Sequence, residues 1–406
     1  MSRPCKSNEG VPGARLEASG LPIASLYVHV PFCVRKCAYC AFYSEPASGE
    51  LIDRYIGALI RELELVASDL QPRTIYFGGG TPSLLNLSQW ERIVRALERL
   101  GLSGAQEWTI ECNPATVSLE KARFLRSCGV NRLSLGVQSL NETLLDRLGR
   151  VHTRQGAFKS FDLLRQAGFD NLNLDLMFAI PGQTLEVWRE TLREAVAMGS
   201  EHLSSYEVIY EEDTALYDLL QAGKGDADED LACAMYEELV ERATTAGFQQ
   251  YEVANFACDT SRSPNSSSLD FPSYACLHNV NYWRGGSFYG LGPSATSYVR
   301  GVRTKTWSST QLYCEQLEQG QTAVEFREEL PPLARAGETA AFGLRMVVGW
   351  PFEQFRQTTG YDLRREWAAE MNQLVQQGWG KILPDRFHLT PQGLRFADAA
   401  AQLFLR

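Results

Sequence analysis

The chain has 406 residues, 44% of them hydrophobic and 22% charged, which suits a soluble globular protein of two or three domains. A net charge of −10 argues against nucleic acid as the main partner. No run approaches the roughly 20 apolar residues of a membrane span, and the polar first residues carry no apolar signal core, so a cytoplasmic location is expected. In a reducing compartment the ten cysteines need a role other than disulfides. Residues 1–24 read as a flexible tail of Gly, Pro, Ser and charge. Strands are then predicted over 25–30, 74–77, 107–111, 132–137, 171–178 and 203–209. Between them come helices over 51–70, 88–100, 118–128, 141–148, 154–167 and 185–198. Strand followed by helix, repeated six times over 25–255, predicts a parallel sheet curved into a partial (β/α)6 barrel. In such a barrel the active site lies at the C-terminal strand ends. Residues 256–330 read as an extension, with a Ser/Pro-rich loop over 258–275 and an aromatic, Gly-rich stretch from His278 to Gly292. Residues 331–406 read as a smaller, mostly helical, winged-helix-like domain, with Thr390 as an N-cap and Pro391 at the first helical position.

The densest chemistry is Cys33-Val-Arg-Lys-Cys37-Ala-Tyr-Cys40, placed just past the first strand. Three thiolates in eight residues can wrap one corner of a cubane cluster and leave its fourth iron without a cysteine. Arg35 and Lys36 favour the thiolate form. The other readings are a zinc site with a distant fourth ligand, or three unrelated thiols, although zinc sites commonly use a two-residue spacing in both pairs. Gly78-Gly-Gly80 closes the second strand, where a backbone without side chains lets a ligand approach. Glu111, Gln138 and Asp175 sit at or near later strand ends, where they would line one cleft with hydrogen-bonding groups.

The Cys33–Cys40 spacing is the radical S-adenosylmethionine (SAM) signature, and the likeness continues along the chain. Tyr27-Val-His-Val-Pro-Phe-Cys33, Phe77-Gly-Gly-Gly-Thr-Pro82, Glu111-Cys-Asn-Pro114 and Gly136-Val-Gln-Ser-Leu-Asn141 occur in order. Leu148-Gly-Arg150 with His152, Asn173-Leu-Asp-Leu-Met177 and Ile180-Pro-Gly182 follow. Together they resemble the radical SAM family that includes the oxygen-independent coproporphyrinogen III oxidases and their haem-chaperone relatives. The resemblance implies a radical SAM barrel with a [4Fe–4S] cluster on Cys33, Cys37 and Cys40 and SAM on the remaining iron. It implies SAM contacts from Tyr27, Tyr39, Gly79, Gly80, Thr81, Glu111, Gln138, Arg150 and Asp175. His29 and His152 belong to barrel motifs and are expected to orient loops, while His202 and His388 carry no motif signal.

Two departures divide the branches of that family. The oxidases carry a cysteine two residues after the third cluster cysteine, where this chain has Phe42, and they have an N-terminal arm where this chain has only the tail. The third clue is His278-Asn-Val-Asn-Tyr-Trp283, which resembles the haem motif of the chaperone branch. Imidazole ligates haem iron and aromatic rings suit a flat macrocycle, so His278 is the expected axial ligand, with Cys276 a weaker candidate. The implied function is a haem chaperone that binds haem and passes it to acceptor haem proteins, such as respiratory enzymes. The rival is coproporphyrinogen III dehydrogenase. Peripheral membrane contact and a homodimer stay open.

Overall fold

The computed structural model describes residues 20–46, 48–223, 228–260 and 271–406. Most of the expected tail and the centre of the Ser/Pro-rich loop lie outside the described residues. All six expected strands form: β1 (Ile23–Val30), β2 (Leu70–Gly79), β3 (Glu107–Cys112), β4 (Arg132–Gln138), β5 (Leu172–Phe178) and β6 (His202–Glu207). They pair in parallel in that order, with Tyr27 beside Tyr76 and Ile110 beside Leu133. The crossover helices carry side-chain N-caps at Ser48, Asn86, Ser118, Asn141, Thr153 and Thr184. Asn86 and Gln89 form a full capping box. The apolar faces of strands and helices meet in one core that includes Leu26, Phe77, Trp90, Trp108, Leu135, Leu174 and Trp188.

The sheet stays open. Its far edge continues antiparallel from β6 through Asn255–Ala257 to Gln249–Gln250. Its near edge is a finding: the extension sends a short strand, Tyr289–Leu291, to pair in parallel with β1 at Leu26, Tyr27 and Val28. Before that strand, the aromatic stretch forms a helix, Leu277–Trp283. Gly285, at φ +70°, turns the chain from helix to strand. A three-stranded antiparallel sheet follows over Thr296–Val299, Val302–Thr306 and Val324–Glu329. The C-terminal region buries its own core of Trp350, Phe355, Trp367, Phe387 and Phe404. There, helices surround a small sheet in the order Trp350–Pro351, Arg386–Leu389, Gly380–Ile382. Thr390 caps the helix Pro391–Arg395 by accepting from the Gly393 N–H, as the sequence predicts.

Candidate cofactor site

A cavity of about 490 Å3 opens at the C-terminal ends of the strands. It gathers Cys33, Cys37, Cys40, Tyr39, Gly79, Gly80, Thr81, Glu111, Gln138, Arg150 and Asp175. Every expected SAM residue is therefore on its wall except Tyr27, which lies behind it with its ring 6.1 Å from that of Tyr76. Phe42 stands 69% exposed on the rim.

The three thiols share this wall with a cation. Arg150 donates through one terminal nitrogen to Cys37 Sγ at 3.5 Å and through the other to the Gly136 carbonyl at 2.6 Å. Its Nε is buried without a partner among the described residues. Tyr39 bonds to Cys37 as well, and burial first, then the cysteines, push its phenol well above the ordinary range. Burial and the neighbouring Cys37 and Cys33 also raise the Cys40 thiol, so a positive group or a metal is what would ionise it. No three His, Cys, Asp or Glu side chains among the described residues converge on a single ion position. A cubane needs no such convergence, because each cysteine takes a different iron.

Beside the thiols lies a cradle of bare backbone. Gly80 donates its N–H to the Val30 carbonyl at 2.8 Å, and a Cβ there would sit 2.6 Å from that same oxygen. Gly79 has φ +97°, and a Cβ there would fall 2.4 Å from the His29 ring. His29 is held between Tyr27 and the Tyr43 carbonyl, so it braces this turn. Thr81 approaches Cys33 Sγ at 3.5 Å.

The cavity floor is acidic and hydrogen-bonded. Glu111 accepts from the Tyr76 hydroxyl at 2.8 Å and from the Gly79 N–H at 3.2 Å. Burial, and next the nearby Asp175, push its carboxyl up to about 7. Asp175 accepts from Ser134 and from Asn173, both at 2.8 Å. Gln138 has a left-handed φ of +64° at a break in register between β4 and β5. Strain at a bulge beside a cavity is how a strand re-aims a side chain. The arrangement can hold an ammonium on Glu111, hydroxyl groups on Asp175 and Gln138, and a carboxylate near Arg150. His152 is a loop brace: it donates to the Val137 carbonyl at 3.1 Å, and burial with Arg150 lowers it to about 4.

His202 had no sequence signal, yet it lines the same cavity. Its Nδ1 donates to Asn173 at 2.7 Å, and its Nε2 accepts from the Tyr251 hydroxyl at 2.9 Å. Ser134, Ser204 and Tyr206 complete this floor. Their signal was alternation: polar residues two apart in otherwise apolar strands face the barrel interior. His388 lies in the C-terminal domain, away from the cavity, and its Nδ1 donates to the Leu389 carbonyl at 2.9 Å.

The expected haem residue sits in a closed setting. His278 is 1% exposed, and both ring nitrogens are engaged: Nδ1 with Thr74 Oγ1 at 2.9 Å and Nε2 with the Tyr282 hydroxyl at 2.8 Å. Its ring stacks on Tyr76 at 5.2 Å, and burial lowers it to about 3, so it is neutral. The Glu107 carboxylate accepts from the N–H groups of Leu277 and His278, both at 3.0 Å, anchoring the start of the helix. Cys276 turns its thiol towards Glu107 at 3.5 Å and lines the barrel cavity, as Asn279 does. Tyr282 and Trp283, at the other end of the helix, line a second cavity of about 240 Å3 with Phe288, Tyr298 and Phe342.

Comparison with known proteins agrees with this geometry. Residues 27–195 match the radical SAM superfamily, and residues 330–396 match the HemN C-terminal domain. Heme chaperone HemW of Lactococcus lactis is 33% identical over 94% of this chain and 97% of its own length. Heme chaperone HemW of Escherichia coli is 32% identical over 95% of this chain and 99% of its own. Among solved structures, coproporphyrinogen III oxidase (HemN) of Escherichia coli superposes with a TM-score of 0.79 at 21% identity, over 96% of this chain and 92% of that one, so the fold is shared. A radical SAM barrel, a HemN-type C-terminal domain and end-to-end likeness to the chaperones place this chain in the HemW family of the radical SAM superfamily.

Proposed function

We propose that this chain is a haem chaperone that takes up one haem through His278 and passes it to an acceptor haem protein. The observation that carries the reading is the helix Leu277–Trp283: its Asn279 reaches the cluster cavity, its Tyr282 and Trp283 line the second cavity, and its His278 is buried against Tyr76 and Tyr282. Haem ligation needs a free imidazole nitrogen, and here Nε2 is occupied by Tyr282. The second cavity gives the Tyr282 phenol a place to swing, which would free Nε2 for iron. In this reading Cys33, Cys37 and Cys40 hold a [4Fe–4S] cluster, and SAM sits on Glu111, Gln138, Arg150, Asp175, Tyr39 and the Gly79–Thr81 backbone, with Tyr27 behind them. When bound, these groups would supply one-electron chemistry, while the chain orients them and keeps the cysteines charge-balanced through Arg150. No helix among the described residues is long and apolar enough to cross a membrane, so a membrane-bound acceptor would be met at the surface.

The test is an anaerobic haem titration of the reconstituted protein. A Soret band that saturates near one haem per chain, and that shifts or weakens in His278→Ala, supports the reading. Titration without saturation sinks it. The same preparation, given SAM, reductant and coproporphyrinogen, is expected to release no protoporphyrinogen. Its formation would favour the dehydrogenase instead.

A further inference from the structure

The helix that carries His278 is joined to the SAM-binding wall through β2. Thr74 and Tyr76 lie two apart on β2 and so face the same side of the strand. Thr74 bonds His278 Nδ1 at 2.9 Å. Tyr76 does two things at once. Its ring stacks on the imidazole at 5.2 Å, and its hydroxyl donates to Glu111 Oε1 at 2.8 Å. A second connection runs beneath. The Cys276 N–H donates to the Tyr251 hydroxyl at 3.1 Å, which donates to His202 Nε2 at 2.9 Å. His202 Nδ1 donates to Asn173 at 2.7 Å, and Asn173 donates to Asp175 at 2.8 Å. Two of the groups assigned to SAM, Glu111 and Asp175, are thus tied to the helix assigned to haem.

We propose that Tyr76 couples the two sites, so that SAM in the barrel raises the affinity of the chain for haem. The inference rests on the site assignment made above. Glu111 has one carboxylate oxygen on Tyr76 and the other on the Gly79 N–H. An ammonium arriving at Glu111 competes for these lone pairs, and a pair charged on both sides is stronger than the bond from the neutral Tyr76 hydroxyl. Tyr76 then loses the anchor that fixes its ring against His278. The imidazole loses a rigid neighbour and leaves Thr74 and Tyr282 at lower cost. Linkage requires the reverse effect as well: haem must raise SAM affinity by the same factor. Tyr76 acts here as a positioning residue, since it would reach haem only through His278.

The experiment is a pair of anaerobic haem titrations of the cluster-loaded protein, with and without saturating SAM, followed by Soret absorbance. In the native chain SAM is expected to lower the haem Kd severalfold. In Tyr76→Phe the ring remains but the anchor is gone, so the Kd without SAM should already lie near the SAM-bound value, and the ratio should fall to about one. If Tyr76→Phe does not fold, Thr74→Val is used instead: it frees His278 Nδ1 but leaves the Tyr76–Glu111 bond, so haem should bind more tightly with and without SAM while the ratio is kept, and a lost ratio would overturn the role of Tyr76. A native haem Kd that SAM leaves unchanged, with stoichiometric haem and a SAM-induced change in the EPR signal of the reduced cluster both intact, overturns the coupling but not the haem site. A full ratio retained in Tyr76→Phe also overturns it. Haem that never saturates would instead strike the function on which the inference rests.

Discussion

The two candidate sites touch the same barrel and are built on opposite principles. The cluster cavity is open before anything binds: cysteines, bare glycine backbone and acidic side chains already line about 490 Å3 of space. The His278 helix is shut, with both imidazole nitrogens spent on protein partners and an adjoining space of only about 240 Å3. A preformed site gives up little on binding, whereas a closed one must break contacts first and so binds more weakly by the fraction of time it is open. That difference suits a resident cofactor on one side and a transferred cargo on the other. A chaperone must release what it holds, and a histidine with a standing hydrogen-bond partner offers a way back to the empty state.

The largest effect that could break the comparison is loss of the cluster. Cys33→Ala, Cys37→Ala or Cys40→Ala should each drop bound iron from about four per chain to near zero after reconstitution, because a cubane with two cysteine ligands is poorly held. Cys128→Ala, far from the cavity, should keep full iron. All three cluster variants should still saturate with one haem. Loss of haem binding together with the iron would mean that the two regions are one site.

How much of this was legible in the sequence follows the same division. The cluster loop is local: all three cysteines and their basic neighbours lie within eight residues, so spacing singled the loop out, and the family resemblance favoured a cluster over zinc. Glu111, Gln138 and Asp175 were legible because strand ends carry the site in this architecture, whereas Arg150, in the turn after the helix Glu142–Arg147, came only through the family resemblance. Tyr76, His202 and Tyr251 were not, because their partners come from strands 29 to 49 residues away. The alternation in Arg132–Gln138, Leu172–Phe178 and His202–Glu207 was visible, but it does not say which polar residue meets which. The strand Tyr289–Leu291 was hidden for another reason. It has three residues next to glycines, and its place beside β1 is fixed by non-local pairing. The closure of His278 was equally hidden, since a histidine among aromatics reads the same whether its nitrogens are free or taken.

The pH response should separate the sites further. Burial, with Asp175 next, lifts Glu111 to about 7, above its ordinary 4.5. A raised carboxyl favours the folded chain below about 4.5, and that contribution is lost as pH climbs through about 7. A bound ammonium wants the ionised form, so SAM uptake should release a proton. SAM affinity should therefore rise up to about tenfold per pH unit towards pH 7 and level off above it. Glu111→Gln should weaken SAM and flatten this profile. His278, lowered to about 3, is already neutral, so haem affinity measured without SAM should stay flat from about pH 6 to 8 as far as this ligand is concerned. Equal pH slopes for the two ligands would contradict the division.

The smallest effect is the most direct test of closure. Tyr282 holds His278 Nε2 at 2.8 Å, and its ring lies edge-on to the imidazole at 4.7 Å. Tyr282→Phe removes the hydroxyl and keeps the ring, so the aromatic packing that a macrocycle would use is preserved. A neutral hydrogen bond contributes about 1 kcal/mol net, which corresponds to roughly fivefold in an equilibrium constant. With the competitor gone, haem should bind about fivefold more tightly, with a Soret band that marks the same histidine ligation. Release to an acceptor should slow by a similar factor, because the phenol no longer reclaims the nitrogen as iron departs. The double variant with His278→Ala should show no such gain, since Tyr282 then has no imidazole to release. A weaker Tyr282→Phe site would mean that the phenol contacts haem itself, and that the closed histidine is the structural resting state of a site whose ligand lies elsewhere on the helix.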